Sequence, residues 1–320
     1  MSRLRAIAGA LVHDWLPFEA NLRRSWVNVR NRNETLARRD DAPGREPQWR
    51  FTTDLHIANV FPSTGARLLR RALRDWPIEF RDDAVSTESP ELTFVIGHRG
   101  ASRLPLLLQT LRSIAAQRDA SIECIVVEQS ATPEVQTQLP AWVRYVHATA
   151  HGDYSRAAAF NAGASAARGR VLVLHDNDIL VPSRYAAEVL RHAAAGRSYI
   201  DLKRFLFNMP EGTLLAGTPT SVMQNAEGGS IAMTRAAYEA IGGFDESFVG
   251  WGGEDNELRE RADWYGGVYR FGYLPMVHLY HPPARGKADS SAPAVRRYYE
   301  LAAIPAGERV SMLLRRRSDD

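Results

Sequence analysis

The sequence predicts an α/β fold: a mostly parallel open sheet with helices on both faces, preceded by a partly helical N-terminal extension. Three observations lead there. From Glu91 onward, short apolar runs alternate with helical segments. The runs are apolar throughout rather than at every second residue, as strands buried on both faces require. Residues 1–90 have another texture, rich in Arg and Trp and interrupted by the polar stretch NRNETLARRDDAPGREPQ.

Within that first part, ARLLRRALRDW sets Leu68, Leu69, Ala72 and Leu73 at helical spacing. DDAVSTESPE then reads as a linker. LTFVI (92–96) is the first strand, and LPLLLQTLRSIAAQ (104–117) is a helix with Pro105 in its first turn, where a missing N–H does no harm. IECIVVE (122–128) and VRYVH (143–147) are strands, SRAAAFNAGASAA (155–167) is a helix stopped near Gly169, and VLVLH (171–175) is a further strand. The expected division is an extension over 1–90, a main domain over 91–285 and a helical tail over 286–320.

With 320 residues and 45% hydrophobic composition, the chain can bury a large core. Its 40 Lys and Arg against 37 Asp and Glu leave a formal charge of +3, so nucleic acid is not the expected partner. Cys124 is the single cysteine and lies in an apolar run; no disulfide can form within the chain, which points to a reducing, cytoplasmic compartment. No stretch approaches the ~18 to 20 apolar residues of a transmembrane helix, and MSRLRAIAGALVHDWLPF lacks the apolar core of a signal peptide. At the other end, Met312, Leu313 and Leu314 directly precede Arg315, Arg316 and Arg317. That pattern allows peripheral contact with the inner face of the cytoplasmic membrane, although a solvated tail is the plainer expectation.

Open α/β sheets bind ligands beyond the carboxyl ends of their strands. Asp176 and Asp178 stand there, in VLVLHDNDILVP. Residues two apart in extended chain point the same way, so both carboxylates can approach one divalent cation or a metal-bound diphosphate. Capping of the following helix is the competing explanation. Farther on, Gly250, Gly252 and Gly253 surround Trp251, and Glu254 and Asp255 open a helix. A glycine-flanked tryptophan suits a moving loop that offers a flat apolar face to a sugar ring, while acids at a helix start also complement its dipole. In VHLYHPP, His278 and His281 are three residues apart, which sets both imidazoles on one side of a turn. With a carboxylate they suit manganese or another borderline divalent ion.

The succession of a strand, Asp-X-Asp (176–178), Gly-Gly-Ser (228–230), Gly-Gly-Phe-Asp (242–245), Gly-Trp-Gly-Gly-Glu-Asp (250–255) and a late histidine resembles the β1,4-galactosyltransferases and the galactosyltransferase-like domains of bacterial polymerases. It is also similar to the catalytic domain of the polypeptide N-acetylgalactosaminyltransferases and to family 2 transferases. The resemblance runs from Thr93 to Pro283. It implies a GT-A fold with Asp176 and Asp178 as the metal and nucleotide-sugar motif, and Asp178, His278 and His281 as ligands to Mn2+ or Mg2+. Arg99, Tyr154 and Arg156 match residues that hold the nucleotide, Gly229 belongs with the donor-binding residues, and Trp251 matches the tryptophan of the mobile loop. Glu254 and Asp255 match the acceptor-binding acids, with Asp255 as the base. The sequence departs from the pattern at Gly97 and Gly100, where a proline and a polar residue are usual, and at Glu128 and Gln129, where many relatives carry two aspartates.

The activity so implied is transfer of a hexose or N-acetylhexosamine from a nucleotide sugar, with UDP expected, to a glycan or glycolipid hydroxyl. It would proceed by inversion, in bacterial surface polysaccharide or glycolipid synthesis. A divalent ion would offset the charge on the departing diphosphate, and one carboxylate would take the acceptor proton. Two alternatives stand beside it. One is a retaining transferase on the same fold, whose family usually has Glu-Asn where this chain has Glu254 and Asp255. The other is a catalytically silent sugar-binding or scaffolding module.

Overall fold

The computed structural model describes residues 3–48, 51–84, 87–250, 252–282 and 292–319. The N-terminal part holds α1 (Arg3–His13), α2 (Trp15–Arg24), β1 (Leu36–Ala37), β2 (Glu46–Pro47), β3 (Thr53–Asp54), α3 (His56–Val60) and α4 (Pro62–Asp75). Then come β4 (Leu92–His98), α5 (Leu104–Ala115), β5 (Ile122–Ser130), β6 (Arg144–Thr149), α6 (Arg156–Ala166), β7 (Val171–His175), β8 (Ile179–Leu180) and α7 (Tyr185–Ala194). The remainder is β9 (Tyr199–Ile200), β10 (Lys203–Asn208), β11 (Ser221–Gln224), β12 (Ser230–Thr234), α8 (Arg235–Ala240), α9 (Glu254–Gly266), β13 (Val268–Tyr269), β14 (Leu274–His278), α10 (Pro293–Ala302) and α11 (Ala306–Asp319).

The main sheet has seven strands in the order β13-β9-β12-β7-β4-β5-β6. Its centre, from β7 through β4 and β5 to β6, is parallel, and β12 runs antiparallel between β7 and β9. The apolar runs of the sequence become these central strands because successive side chains alternate between two covered faces. Phe94 and Ile96 of β4 point into one cluster with Leu107 and Leu111 of α5; Val95 points into the other with Ala159 and Phe160 of α6.

A second sheet, β3-β11-β10-β14-β8, was not expected from the sequence. The N-terminal part supplies its edge strand β3, which pairs with β11, and shares its core: Trp26 and Leu55 are buried in the same cluster as Phe205 and Phe207 of β10. Arg204, itself 2% exposed, donates from Nε to the Val27 carbonyl at 2.8 Å and from Nη2 to the Val29 carbonyl. At the other end, α11 lies on α9. Val310 and Leu313 are buried, and Arg309 reaches Glu257 at 3.2 Å and Glu260 at 2.8 Å. No helix among the described residues is long and apolar enough to cross a membrane.

Candidate active site and metal centre

After β7 the chain turns so that β8 pairs antiparallel with the end of β14, setting His278 opposite Ile179. The Leu279 N–H donates to the Asp178 carbonyl at 2.9 Å. This pairing brings two histidines from far along the chain to the second aspartate. Asp178 Oδ2 lies 3.2 Å from His281 Nε2, and Oδ1 lies 3.7 Å from His278 Nε2. One ligand atom from each of the three falls within 4.8 Å of the others. His281 donates its Nδ1–H to the Pro282 carbonyl at 2.7 Å, so Nε2, which faces Asp178, is the nitrogen left to ligate a metal. Two imidazoles and a carboxylate in this arrangement fit a borderline divalent ion and leave positions for diphosphate oxygens.

Asp178 is held ionised. Burial alone would raise its pKa, but the hydrogen bond with His281 and the charges of His278, His281 and Arg103 outweigh burial and hold it at about 2. Arg103, which donates to Asp178 Oδ2 at 2.9 Å, is a site residue the sequence reading missed. Its only signal is position: it follows the first strand and precedes α5, just after Gly100, whose φ is +80°.

A second cluster surrounds Arg156, the first residue of α6. Ser155 caps that helix by accepting from the Ala158 N–H at 3.2 Å. Arg156 Nε donates to Asp176 Oδ1 at 2.8 Å and Nη1 to Asp255 Oδ1 at 2.5 Å, with Glu254 Oε1 3.5 Å from Nη1. Its guanidinium carbon lies 4.5 Å from the ring centroid of Phe160. Nη2 is buried and has no hydrogen-bond partner among the described residues. Burial raises Glu254 to about 7, with the Asp255 charge adding and Arg156 opposing. Burial likewise raises Asp176 to about 6, where Arg156 opposes and the charges of Asp178 and Asp255 add. The Asp176 N–H donates to the Gly229 carbonyl at 2.8 Å. The neighbouring Gly228 has φ +68°, and a Cβ there would overlap the Asp255 carboxylate.

Arg99 donates to the Gly152 carbonyl at 2.6 Å and so braces the loop that leads to Tyr154. Tyr154 in turn lies against β4, where a Cβ on Gly97 would overlap its hydroxyl. That contact accounts for a glycine where a proline is usual. Gln129 has its own reason: its amide accepts from the Ser155 N–H and donates to the Ser155 carbonyl, both at 2.9 Å, and an ionised aspartate could not donate. Glu128 accepts from the backbone of Glu134 and Val135 and from the Tyr145 hydroxyl. Beneath the acids, His175 Nδ1 lies 2.7 Å from Ser230 Oγ and ties β7 to β12, a contact with no signal in the sequence. Trp251 lies outside the described residues. The structure thus gathers Asp178, His278 and His281 in one cluster and Arg156, Asp176, Glu254 and Asp255 in the next, with Gly229 at the edge of the second.

Residues 101–240 match the family model described as glycosyl transferase family 2, and residues 219–281 match that described as the N-terminal domain of galactosyltransferase. No curated protein matches the sequence. Among solved structures, GalNAc-T7 with UDP, GalNAc and Mn2+ superposes with a TM-score of 0.50 at 17% identity, covering 68% of this chain and 48% of that one. The present chain therefore spans about half the length of that relative. The mannosyltransferase PcManGT from Pyrobaculum calidifontis, in complex with GDP-Man and Mn2+, gives a TM-score of 0.41 at 18% identity over 79% of this chain and 80% of its own. The catalytic domain of Drosophila β1,4-galactosyltransferase 7 gives 0.32 at 14% identity over 57% and 63%. The chain has the GT-A fold and carries a glycosyltransferase domain.

Proposed function

We propose that the chain transfers a hexose or N-acetylhexosamine from a UDP-sugar to a glycan hydroxyl with inversion, using Mn2+ or Mg2+ held by Asp178, His278 and His281. The observation that carries this reading is the placement of that ligand set beside the acids around Arg156, all at the carboxyl end of β7. The ion would supply charge stabilisation to the departing diphosphate. UDP and Mn2+ are the choices supported by the GalNAc-T7 complex, which holds both.

In this reading the chain's own residues divide the remaining work. Arg99 and Tyr154 would flank the nucleotide, and Arg156 would meet the donor with Nη2, which has no hydrogen-bond partner among the described residues. Arg156 also fixes Asp255 through Oδ1, and Oδ2 would then take the acceptor proton. Glu254, with its pKa near 7, keeps a proton part of the time at neutral pH and donates to the acceptor. The acceptor class we propose is a bacterial surface polysaccharide or glycolipid, on the resemblance of the 227–267 block, with the reaction in the cytoplasm, on the single buried Cys124.

Calorimetry of Asp178→Ala tests the metal site. The parent should bind one UDP-sugar only with metal present, and the variant should lose that binding; metal-dependent binding that survives the substitution would remove the reading. A screen of nucleotide sugars for slow metal-dependent hydrolysis identifies the donor without knowledge of the acceptor.

A further inference from the structure

Large apolar side chains stand exposed along the first two helices: Leu4 at 78%, Leu11 at 51% and Val12 at 69% on α1, and Leu16 at 73% on α2. Leu4, the exposed Ala8, Val12 and Leu16 follow one another in steps of four, the spacing of a ridge on a helix surface, and Leu11 lies beside it. Helical hydrogen bonding runs through the junction, from the Asp14 N–H to the Ala10 carbonyl at 2.9 Å and from the Phe18 N–H to the Asp14 carbonyl at 3.0 Å. Ala10, Asp14, Phe18 and Leu22 are buried, so the pair has an inner face packed on the protein and an outer apolar ridge.

Charge says what covers the ridge. Arg3, Arg5, Arg23 and Arg24 are exposed at its two ends. Asp14 and Glu19 are the acids within residues 3–24, and both are engaged elsewhere: Asp14 with Arg32 at 2.9 Å and Glu19 with Arg67. An apolar ridge flanked by arginines suits the boundary between acyl chains and anionic headgroups. The Leu and Arg pattern at the C-terminus is used differently, because α11 buries Val310 and Leu313 in the protein itself.

We propose that the outer face of α1 and α2 docks on the surface of an anionic lipid bilayer. The inference does not depend on the proposed transferase activity, since docking needs neither metal nor donor. Co-sedimentation of the full chain with vesicles tests it, comparing phosphatidylcholine alone with phosphatidylcholine containing phosphatidylglycerol. Binding to the anionic vesicles should be at least about tenfold tighter than to the neutral ones and should weaken as salt is raised. Leu11→Glu with Val12→Glu should reduce it by at least about tenfold at an unchanged melting temperature, because both side chains are exposed. Arg3→Gln with Arg5→Gln should weaken anionic binding selectively. Equal binding to both vesicle types, binding by the glutamate variant at the parent level, or no binding at all would overturn the proposal. So would a dimer in solution that the glutamate substitutions dissolve, since the ridge would then cover a second copy of the chain.

Discussion

Replacing Glu254 by Gln removes an ionisation that the fold opposes while keeping the shape of the side chain. The residue is 8% exposed, and burial, with the Asp255 charge adding and Arg156 opposing, lifts the carboxyl from 4.5 to about 7. A folded-state pKa above the unfolded value means that the folded chain holds the proton more tightly. The cost of ionising Glu254 is therefore absent below pH 4.5, grows as the pH rises toward 7, and is complete above it. The full cost corresponds to about 3 kcal/mol. The Gly252 N–H, which donates to Glu254 Oε2 at 3.2 Å, can donate equally to an amide oxygen. Glu254→Gln should thus be more stable than the parent by about 3 kcal/mol at about pH 8.5, with the advantage fading toward zero near pH 4.5. Denaturant unfolding of both proteins, followed by tryptophan fluorescence at the two pH values, measures the difference. An advantage that does not change with pH, or a parent that is the more stable protein in alkali, would refute burial as the dominant influence on this carboxyl.

Two further outcomes are expected. Asp255→Asn should keep metal and donor binding while transfer falls by ~100-fold to 10,000-fold, the usual effect of losing a positioned base; transfer at the parent rate, or a product that keeps the donor's α configuration by NMR, would remove Asp255 as the base of an inverting reaction. Gly97→Ala would drive a methyl into the Tyr154 hydroxyl and to 2.9 Å from the Ala159 Cβ, so it should cost ~1 to 3 kcal/mol of stability and weaken nucleotide binding. Unfolding and calorimetry at the parent values would show that Tyr154 is not anchored against β4.

The central sheet is legible in the sequence because a strand covered on both faces is written as contiguous apolar residues, and LTFVI, IECIVV and VLVLH are such runs. The second sheet is not, because β10 begins with Lys203 and Arg204, and charge at a strand start reads as surface. Arg204 can be buried because carbonyls 175 and 177 residues away, with the Gln224 side chain, accept its guanidinium, and contacts that distant leave no local period. The same holds at the candidate metal centre. Asp178, His278 and His281 are each visible as motifs, but what joins them is the pairing of β14 with β8, a two-residue strand too short to mark the sequence.

Arg156 shows how far a motif carries and where geometry takes over. The resemblance assigns it to the nucleotide, and the fold surrounds it with Asp176, Glu254 and Asp255, because acids brought together out of water require a cation among them. A lysine would meet that need as a point charge. The guanidinium does more, since its planar fork of donors can hold two carboxylates through Nε and Nη1 and still present Nη2 in a fixed direction. One side chain thereby fixes Asp176 and Asp255 relative to each other, and in the proposed reaction its Nη2 would find its partner in the donor.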